Sequence, residues 1–301
     1  MSTVGNALST AAEALAGAGI DTARLDAEVL LANAMDVSRA ALLARLRDPF
    51  EPPARARFEP LLERRRQREP LAYIVGGCEF WSLWFEVTPQ TLVPRPETEV
   101  LVENVLEGIA IVAAPRILDV GTGSGCIAVA LAHERRDARV TAVDVSNGAL
   151  AVARRNAELH GVSDRVDFRA ADARRLSRSS RYDVIVANPP YIRRDAIEAL
   201  QPEVSRWEPR DALDGGEDGL DLVRAVLAIA GELLQPGGLI ALEIGSGQGD
   251  EAIALARQAG FADACVRADY AGLPRVLLSP SPQSREGSRR GRTLSALQRA
   301  S

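Results

Sequence analysis

One tetrapeptide, Asn188-Pro189-Pro190-Tyr191, places an amide side chain, free backbone carbonyls and an aromatic ring at one point of the chain. It directly follows the apolar run 183–187, which is typical of a buried strand. Each proline fixes its own φ and restricts the residue before it. Because proline has no N–H, the segment cannot continue a sheet ladder, and its carbonyls stay available for a ligand.

Such a segment suits a planar NH2 group. That group can donate one hydrogen to Asn188 and the other to the Pro189 carbonyl, which aims the nitrogen lone pair at an electrophile. A rigid loop after a strand is the alternative interpretation of these residues.

A glycine-rich loop, Asp119-Val120-Gly121-Thr122-Gly123-Ser124-Gly125, lies between another apolar run and a predicted helix. Glycines let the backbone turn tightly and approach a ligand closely. The spacing is not the Gly-x-Gly-x-x-Gly of dinucleotide binders, so the loop alone is equally typical of a turn. Asp144 ends the next predicted strand, where an acid can hold both ribose hydroxyls, and Asp172 follows the third strand. Each of these acids alone is also typical of a helix cap or an exposed surface position.

A parallel sheet is needed to bring these residues together. Strand and helix patterns alternate along the chain, which favours a parallel sheet covered on both faces. The predicted strands are Arg116–Val120, Arg139–Val143, Val166–Arg169, Asp183–Ala187 and Leu239–Ile244, and residues 266–279 fit two more with an antiparallel edge. Glycines, Asp144 and Asp172 at three successive strand ends predict a nucleoside cleft, and Asn188 ends the fourth strand beside it.

The rest of the chain suggests two domains and a tail. Residues 6–68 show helical periodicity, with a kink or break expected at Pro60. The aromatic segment 80–87, followed by Thr88-Pro89-Gln90 as a turn before Leu92-Val93, predicts a β-hairpin. We therefore predict a helical domain at 1–75, a hairpin linker at 76–95, an α/β domain at 96–280 and a disordered tail at 281–301.

Composition excludes several classes of function. The net charge of −5 argues against a protein that wraps nucleic acid, and the absence of lysine excludes a lysine-based mechanism. The three cysteines lack metal-ligand spacing, and neither histidine is placed for a triad, so we expect no metal site. No signal segment or membrane-length apolar run is present, so we expect a cytoplasmic protein. An arginine cluster at 55–68 is either a solvated face or a surface for an acidic partner such as ribosomal RNA or an acidic protein surface.

Together these features resemble the class I S-adenosylmethionine-dependent methyltransferases with an Asn-Pro-Pro-Tyr motif, which methylate planar nitrogens. Further segments make the chain similar to the peptide chain release factor glutamine methyltransferases over about residues 5–279. They are Ala23-Arg24-Leu25-Asp26-Ala27-Glu28, Glu69-Pro70-Leu71-Ala72-Tyr73-Ile74-Val75-Gly76, Glu79-Phe80-Trp81, Leu92-Val93-Pro94-Arg95-Pro96-Glu97-Thr98-Glu99, residues 119–132, Asp144-Val145-Ser146 and Asp214-Gly215-Gly216-Glu217-Asp218-Gly219.

The resemblance implies a Rossmann-like seven-stranded sheet with a small N-terminal helical domain, and S-adenosylmethionine as cofactor. It also implies a methyl acceptor, the glutamine in the Gly-Gly-Gln loop of class 1 release factors, and we expect a monomer without direct nucleic-acid contact. Pro94-Arg95-Pro96-Glu97 departs from the Pro-Arg-Ser-Pro of the sister family that methylates a ribosomal protein. The alternatives are that sister activity, a nucleobase amino-methyltransferase, or a binding module without catalysis.

The resemblance also assigns roles to residues. Those implied to bind the cofactor are Gly121, Thr122, Gly123, Ser124, Gly125, Asp144, Asp172, Ala173 and Asn188. Those implied to be catalytic are Asn188, Pro189 and Tyr191, and those implied to bind substrate are the same three with Pro190 and Arg95. Arg95 is equally well explained as an inter-domain salt bridge. Ala173 stands where relatives can carry an aromatic residue, which weakens the expected stacking on adenine, and Gly272-Leu273-Pro274-Arg275 replaces the family's Gly-Arg-Asp-Arg.

Overall fold

The computed structural model describes residues 2–176 and 180–281. The chain divides into two compact units, one of Met1–Cys78 with Leu200–Trp207 and the other of Glu79–Ala199 with Glu208–Ser301. Apart from Ser281, the predicted tail lies outside the described residues. Within the described ranges, no helix combines the length and the apolar character that a membrane span requires.

The first unit is helical. Its helices are α1 (Val4–Gly17), α2 (Ala23–Met35), α3 (Arg39–Ala44), α4 (Pro52–Arg66) and α5 (Leu71–Val75), and segment 200–207 adds Pro202–Ser205, which is α9 in chain order. Thr3 and Ser38 cap α1 and α3 by accepting backbone N–H groups, and Pro52 opens α4. Fully buried leucines form the core, and the Phe50 and Phe58 rings pack edge to face at 5.9 Å.

Helix α4 continues through Pro60, so the chain does not break there. Two arginines attach this helix to α2: Arg57 donates to the Ala34 carbonyl at 2.7 Å, and Arg65 donates to Asp26 at 2.6 Å. These contacts help to offset the backbone hydrogen bond that proline removes.

The arginine cluster on and after α4 is largely paired inside the unit. Arg65 contacts Asp26 and Glu203, Arg68 contacts Glu203 at 2.6 Å, and Arg64 contacts Glu69 at 2.5 Å. Neither sequence interpretation, a solvated face or an acidic partner, anticipated these ion pairs. The cluster holds segment 200–207 to the helices.

The second unit contains a small hairpin and a seven-stranded sheet. Strands β1 (Gly77–Phe80) and β2 (Leu83–Glu86) pair with each other, and the division between the units falls within β1, after Cys78. The hairpin turns at Trp81-Ser82, both with positive φ, and not at the predicted turn 88–90. The sheet has the order β5-β4-β3-β6-β7-β9-β8. Its strands are β3 (Arg116–Val120), β4 (Arg139–Asp144), β5 (Val166–Ala170), β6 (Tyr182–Ala187), β7 (Leu234–Glu243), β8 (Cys265–Ala268) and β9 (Pro274–Pro280), with helices α6 (Glu97–Gly108), α7 (Cys126–Glu134), α8 (Asn147–Leu159), α10 (Asp221–Leu233) and α11 (Gly249–Gln258).

Strands β3 to β7 run parallel, β9 is antiparallel to β7, and β8 is antiparallel to β9. Alternate residues of a strand enter different cores: Val184 and Val186 of β6 join one apolar cluster, whereas Ile185 and Ala187 join the other. This alternation is what a sheet covered on both faces requires. The predicted α/β fold with an antiparallel edge is confirmed.

The sheet order reverses between β3 and β6, where successive crossovers pass to opposite sides. In open α/β sheets this point leaves a crevice at the carboxyl ends of the strands. The glycine loop follows β3 and Asn188 follows β6, so the fold brings these two motifs to one crevice.

Candidate active site

The glycine loop has three residues in the left-handed region, Gly121 (φ 73°), Gly123 (φ 56°) and Gly125 (φ 81°). A Cβ added to Gly125 would lie 3.0 Å from the Ala153 Cβ, so this glycine lets the loop approach α8 closely. A Cβ on Gly121 would meet nothing within 4 Å. Gly121 therefore borders open space, which is what a ligand-binding loop needs.

Asp144 attaches the end of β4 to this loop. One carboxylate oxygen accepts from the Gly123 N–H at 2.9 Å and the other from the Ser146 N–H at 2.8 Å. Each oxygen can accept a second hydrogen bond, so the half-buried carboxylate can still bind a diol. The structure brings Asp144 and the glycine loop together as predicted.

Asp119, at the fourth position of β3, is completely buried. Its Oδ2 accepts from the Thr122 hydroxyl at 2.6 Å, whereas its Oδ1 has no hydrogen-bond partner among the described residues. Burial is the main cause that raises the pKa of Asp119 to about 7, and the negative charge of Asp144 adds to it. Asp119 belongs to the glycine-loop motif, but nothing in the sequence predicts this buried, half-satisfied carboxylate.

The predicted adenine-side residues follow β5. Asp172 caps the short 3-10 turn Ala173–Arg175 by accepting from the Arg174 N–H at 2.9 Å. Ala173 is 5% exposed and packs in the apolar cluster under the sheet. The Ala173 side chain thus offers little surface for stacking, in line with the departure noted in the sequence.

Asn188 immediately follows β6 and is oriented by helix α6. Its Nδ2 donates to the Thr98 hydroxyl oxygen at 3.1 Å, which directs the amide oxygen away from Thr98. Thr98 is almost fully buried, so this support for the amide is shielded from water. The amide oxygen is the atom that a substrate NH2 group requires as an acceptor.

The loop Asp214–Gly219 packs against the prolines and tyrosine of the motif. A Cβ on Gly215 would lie 2.7 Å from the Pro190 carbonyl oxygen, and a Cβ on Gly219 would lie 2.3 Å from the Tyr191 carbonyl oxygen. Only glycine permits such approaches, and Gly219 also has φ 82°. The loop therefore supports the backbone of the motif from one side.

Gln248 connects this loop to the motif and was missed by the sequence analysis. Its Nε2 lies 3.1 Å from the Tyr191 carbonyl oxygen and 3.2 Å from the Gly219 carbonyl oxygen, and its Oε1 accepts from the Gly245 N–H at 2.8 Å. A single glutamine before a helix carries no sequence signal for this role.

One further acid, Glu243, lies close to the motif. Glu243, the last residue of β7, is completely buried, and burial is the main cause that raises its pKa to about 7. Burial, with a contribution from the Glu243 charge, raises the pKa of Tyr191 to about 12, so its phenol is protonated at neutral pH. No sequence motif marks Glu243 as part of the site.

Arg95 forms an ion pair with the buried Glu208, its Nη2 lying 2.6 and 2.8 Å from the two carboxylate oxygens. Burial raises the pKa of Glu208, and Arg95 opposes that shift. Both residues belong to the second unit, so this salt bridge is not the inter-domain one considered from the sequence. The Arg95 side chain stays 32% exposed, and substrate contact by it remains a prediction.

Known proteins support the same interpretation of these motifs. Residues 6–76 match the family described as PrmC N-terminal domain, and residues 96–202 match the methyltransferase small domain. The release factor glutamine methyltransferase of Moorella thermoacetica is 47% identical over 278 residues, covering 92% of this chain and 98% of that protein. The protein of the same name from Geobacter sulfurreducens is 45% identical over 263 residues, covering 87% and 91%.

A solved structure is also similar. It is described as protein-(glutamine-N5) methyltransferase (release factor-specific) from Alicyclobacillus acidocaldarius, with 32% identity, a TM-score of 0.40, and coverage of 66% of this chain and 99% of that one. The extent and identity of the sequence matches decide the assignment. The chain belongs to the release factor glutamine methyltransferase family, and it is an enzyme with a class I fold that uses S-adenosylmethionine.

Proposed function

We propose that the protein methylates the side-chain nitrogen of the glutamine in the Gly-Gly-Gln loop of class 1 peptide chain release factors. The observation that carries the proposal is the amide of Asn188, which Thr98 holds at the end of β6, at the crevice that the glycine loop also borders. The names of the relatives support the substrate. We further propose that the protein acts as a cytoplasmic monomer and that its helical unit binds the rest of the release factor.

The residues after β3 and β4 fit the cofactor. Gly121 borders open space, Asp144 keeps acceptor capacity for a ribose diol, and Asp119 has a buried oxygen that an ammonium group would satisfy. S-adenosylmethionine, when bound, supplies a methyl group on an electrophilic sulfonium. The residues proposed to hold it are Gly121, Thr122, Gly123, Ser124, Gly125, Asp144, Asp172, Ala173 and Asn188.

Two of these residues also shape the loop. The Thr122 hydroxyl donates to Asp119, and the Ser124 carbonyl accepts from the Asn156 side chain at 2.8 Å. Asn156 is completely buried and also accepts from the Glu86 N–H at 2.8 Å. The loop geometry is therefore fixed from behind by hydrogen bonds to buried side chains.

The substrate side must align a poor nucleophile. An amide nitrogen is weakly nucleophilic because its lone pair is delocalised into the carbonyl, so alignment contributes most, up to ~7–11 kcal/mol in favourable cases. We propose that Asn188 Oδ1 and the Pro189 carbonyl accept the two amide hydrogens. Those hydrogens become more acidic as positive charge develops on nitrogen, so both bonds strengthen toward the transition state.

The neighbouring residues then shape the substrate site. Tyr191, whose phenol stays neutral, is proposed to pack against the amide or the adjoining glycines of the substrate loop. Pro190 and Arg95 are proposed to border the same side of the cleft. The residue pattern Pro94-Arg95-Pro96-Glu97 favours a release factor over a ribosomal protein, and the net charge of −5 argues against a nucleobase in a basic channel.

The test is transfer of labelled methyl from S-adenosylmethionine to a purified class 1 release factor. We expect label on the wild-type factor, none on a factor whose loop glutamine is replaced, and a large loss with Asn188→Ala. Asn6→Ala, which changes an exposed asparagine of the first unit, is the control for a general effect of such a substitution. Label on tRNA, rRNA or DNA with none on the release factor would contradict the proposal.

A further inference from the structure

Glu243 occupies a position at the sheet edge next to Asn188. Strands β6 and β7 are parallel neighbours, and Ala187 pairs with Leu242 in their register. The next residue along each strand is Asn188 on one side and Glu243 on the other. The sheet therefore brings this carboxylate to the same level of the crevice as the amide proposed to bind substrate.

The Glu243 carboxylate is buried without a committed partner. Neither of its oxygens has a hydrogen-bond partner among the described residues, although the side chain is 0% exposed. Glu208, a buried acid in the same unit, is instead paired with Arg95. An unpaired buried carboxylate is unfavourable for stability, so its position needs an explanation other than folding.

Several groups face this carboxylate from the surrounding elements. The hydroxyls of Thr98 on α6 and Tyr191 are near enough to lower its pKa, although neither reaches regular hydrogen-bond geometry. The Arg275 guanidinium on β9 also lowers its pKa, whereas the carboxylate of Glu97 raises it. Arg275 is already paired with Asp269 at 3.0 Å, so Thr98 and Tyr191 are the available donors.

The direction of the hydrogen bonds follows from the chemistry of these groups. An ionised carboxylate only accepts, a hydroxyl has one hydrogen to donate, and an amide presents NH2 on one side and oxygen on the other. If Thr98 donates its hydrogen to Glu243, its oxygen must accept from Asn188, as the 3.1 Å contact shows. If Glu243 is neutral, the Thr98 hydrogen is free to point at Asn188, and the amide can turn its NH2 toward the substrate NH2.

We propose that Glu243 is a positioning residue: through the Thr98 hydroxyl, its carboxylate fixes Asn188 with the amide oxygen presented to the substrate. This inference rests on the proposed function and adds to it a residue that does not touch substrate. Tyr191, whose hydroxyl faces the same carboxylate, is held by it in a second, parallel way.

A dependence on pH follows from the ionisation of this group. Burial raises the pKa of Glu243 to about 7, so its ionised fraction increases across the neutral range. The ionised form only accepts and therefore takes the Thr98 hydrogen, whereas the neutral form can instead donate its own O–H to the Thr98 oxygen. The methyl-transfer rate should therefore rise with pH and level above that pKa. Glutamine cannot ionise, so Glu243→Gln should have no such step.

The test is single-turnover methyl transfer to a release factor at saturating cofactor, measured from mildly acidic to mildly alkaline pH. We expect the wild-type rate to rise through pH about 7. We expect Glu243→Gln to lose this step and to be roughly tenfold slower at alkaline pH, about the effect of one lost net hydrogen bond, with KM for the release factor unchanged. Glu107→Gln, an exposed acid on α6, should retain the wild-type profile.

A double-mutant cycle tests the route through Thr98. If Glu243 acts through this hydroxyl, Glu243→Gln combined with Thr98→Val should be no slower than Thr98→Val alone, and Thr98→Ser should retain the wild-type profile. A Glu243→Gln enzyme with the wild-type rate and pH profile would overturn the inference, as would independent, multiplying effects in the cycle. Loss of S-adenosylmethionine binding by Glu243→Gln would overturn it in favour of a structural role. A wild-type enzyme that methylates no release factor would refute the proposed function instead.

Discussion

The helical unit and the cleft of the sheet differ in whether their buried charged side chains are paired. In the helical unit, buried Arg65 contacts Asp26 at 2.6 Å and Glu203 at 2.8 Å, so each buried charge has a partner of opposite sign. At the cleft, one oxygen of Asp119 and both oxygens of Glu243 have no hydrogen-bond partner within the described part of the chain. An unsatisfied buried polar group costs about 1–3 kcal/mol, so the cleft retains a cost that the helical unit avoids.

The difference belongs to the cleft and not to the second unit as a whole. Elsewhere in the same unit, buried Glu208 is paired with Arg95 and buried Asp269 with Arg275. We interpret the buried carboxylates with ion-pair partners as parts of the fold, and those without as groups that ligand binding or catalysis uses.

The largest expected effect is on the paired side. Arg65→Met leaves buried Asp26 without its cation, whereas Glu203 keeps Arg68, and removal of one member of a buried pair destabilises by about 3–5 kcal/mol. Denaturant unfolding followed by circular dichroism measures the loss, which should fall on the helical unit. The matched control is Arg66→Met on the same helix, whose pair with Glu63 is exposed and is worth less than about 1 kcal/mol. Equal losses of stability for the two substitutions would contradict the distinction between buried and exposed ion pairs.

The second effect concerns Glu243, whose substitution should raise the free energy of unfolding at alkaline pH instead of lowering it. Burial raises the pKa of Glu243 from 4.5 to about 7, so the folded state binds this proton more tightly than the unfolded chain. Its stabilising contribution is complete below pH 4.5 and is lost as pH rises to about 7, by about 3 kcal/mol for such a shift. Glu243→Gln should therefore be more stable than wild type at alkaline pH, measured by unfolding across pH. Lower stability at every pH would show that the carboxylate is structural.

The third prediction concerns Asp119 and the affinity of the protein for S-adenosylmethionine. A hydrogen bond to a charged group is worth about 1.5–3 kcal/mol, so Asp119→Asn should weaken S-adenosylmethionine binding by roughly tenfold or more. Isothermal titration calorimetry measures this, with Asp250→Asn, an exposed acid at the start of α11, as control. Unchanged affinity would mean that the free oxygen of Asp119 does not serve the cofactor.

A smaller effect separates two glycines. Gly219→Ala places a Cβ 2.3 Å from the Tyr191 carbonyl oxygen, and overpacking of this kind costs about 1–3 kcal/mol. We expect slower methyl transfer, because the motif must shift. Gly231→Ala within α10 has no atom within 4 Å of the new Cβ and should be neutral or slightly stabilising. Equal rates for the two variants would show that the Asp214–Gly219 loop does not position the motif.

The sequence was enough to predict the sheet and the two site motifs that contain glycine or proline, the glycine loop and Asn188-Pro189-Pro190-Tyr191. Apolar runs placed β3 and β6 within one residue of their observed ends, because buried parallel strands have a local signature. Gln248 and Glu243 could not be found in this way. Their roles depend on partners brought near by strand register and loop packing, such as Tyr191, 57 positions from Gln248.

The arginine cluster shows the same limit. A run of charge on a helix predicts exposure, yet Arg65 is buried against an acid 138 positions away. The local pattern contains no information about that partner. The sequence therefore did not predict the ion pairs of the arginine cluster, and it gave no signal for the unpaired carboxylates of Asp119 and Glu243.

The most direct test of the account is the single-turnover rate of methyl transfer to a release factor by Asn188→Ala at saturating cofactor. Asn188 carries the acceptor oxygen that Glu243 is proposed to orient through the Thr98 hydroxyl. We predict a loss of about 10²–10³-fold, the effect of removing one preorganised group that acts in the transition state. A rate equal to that of the wild type would contradict the proposed site.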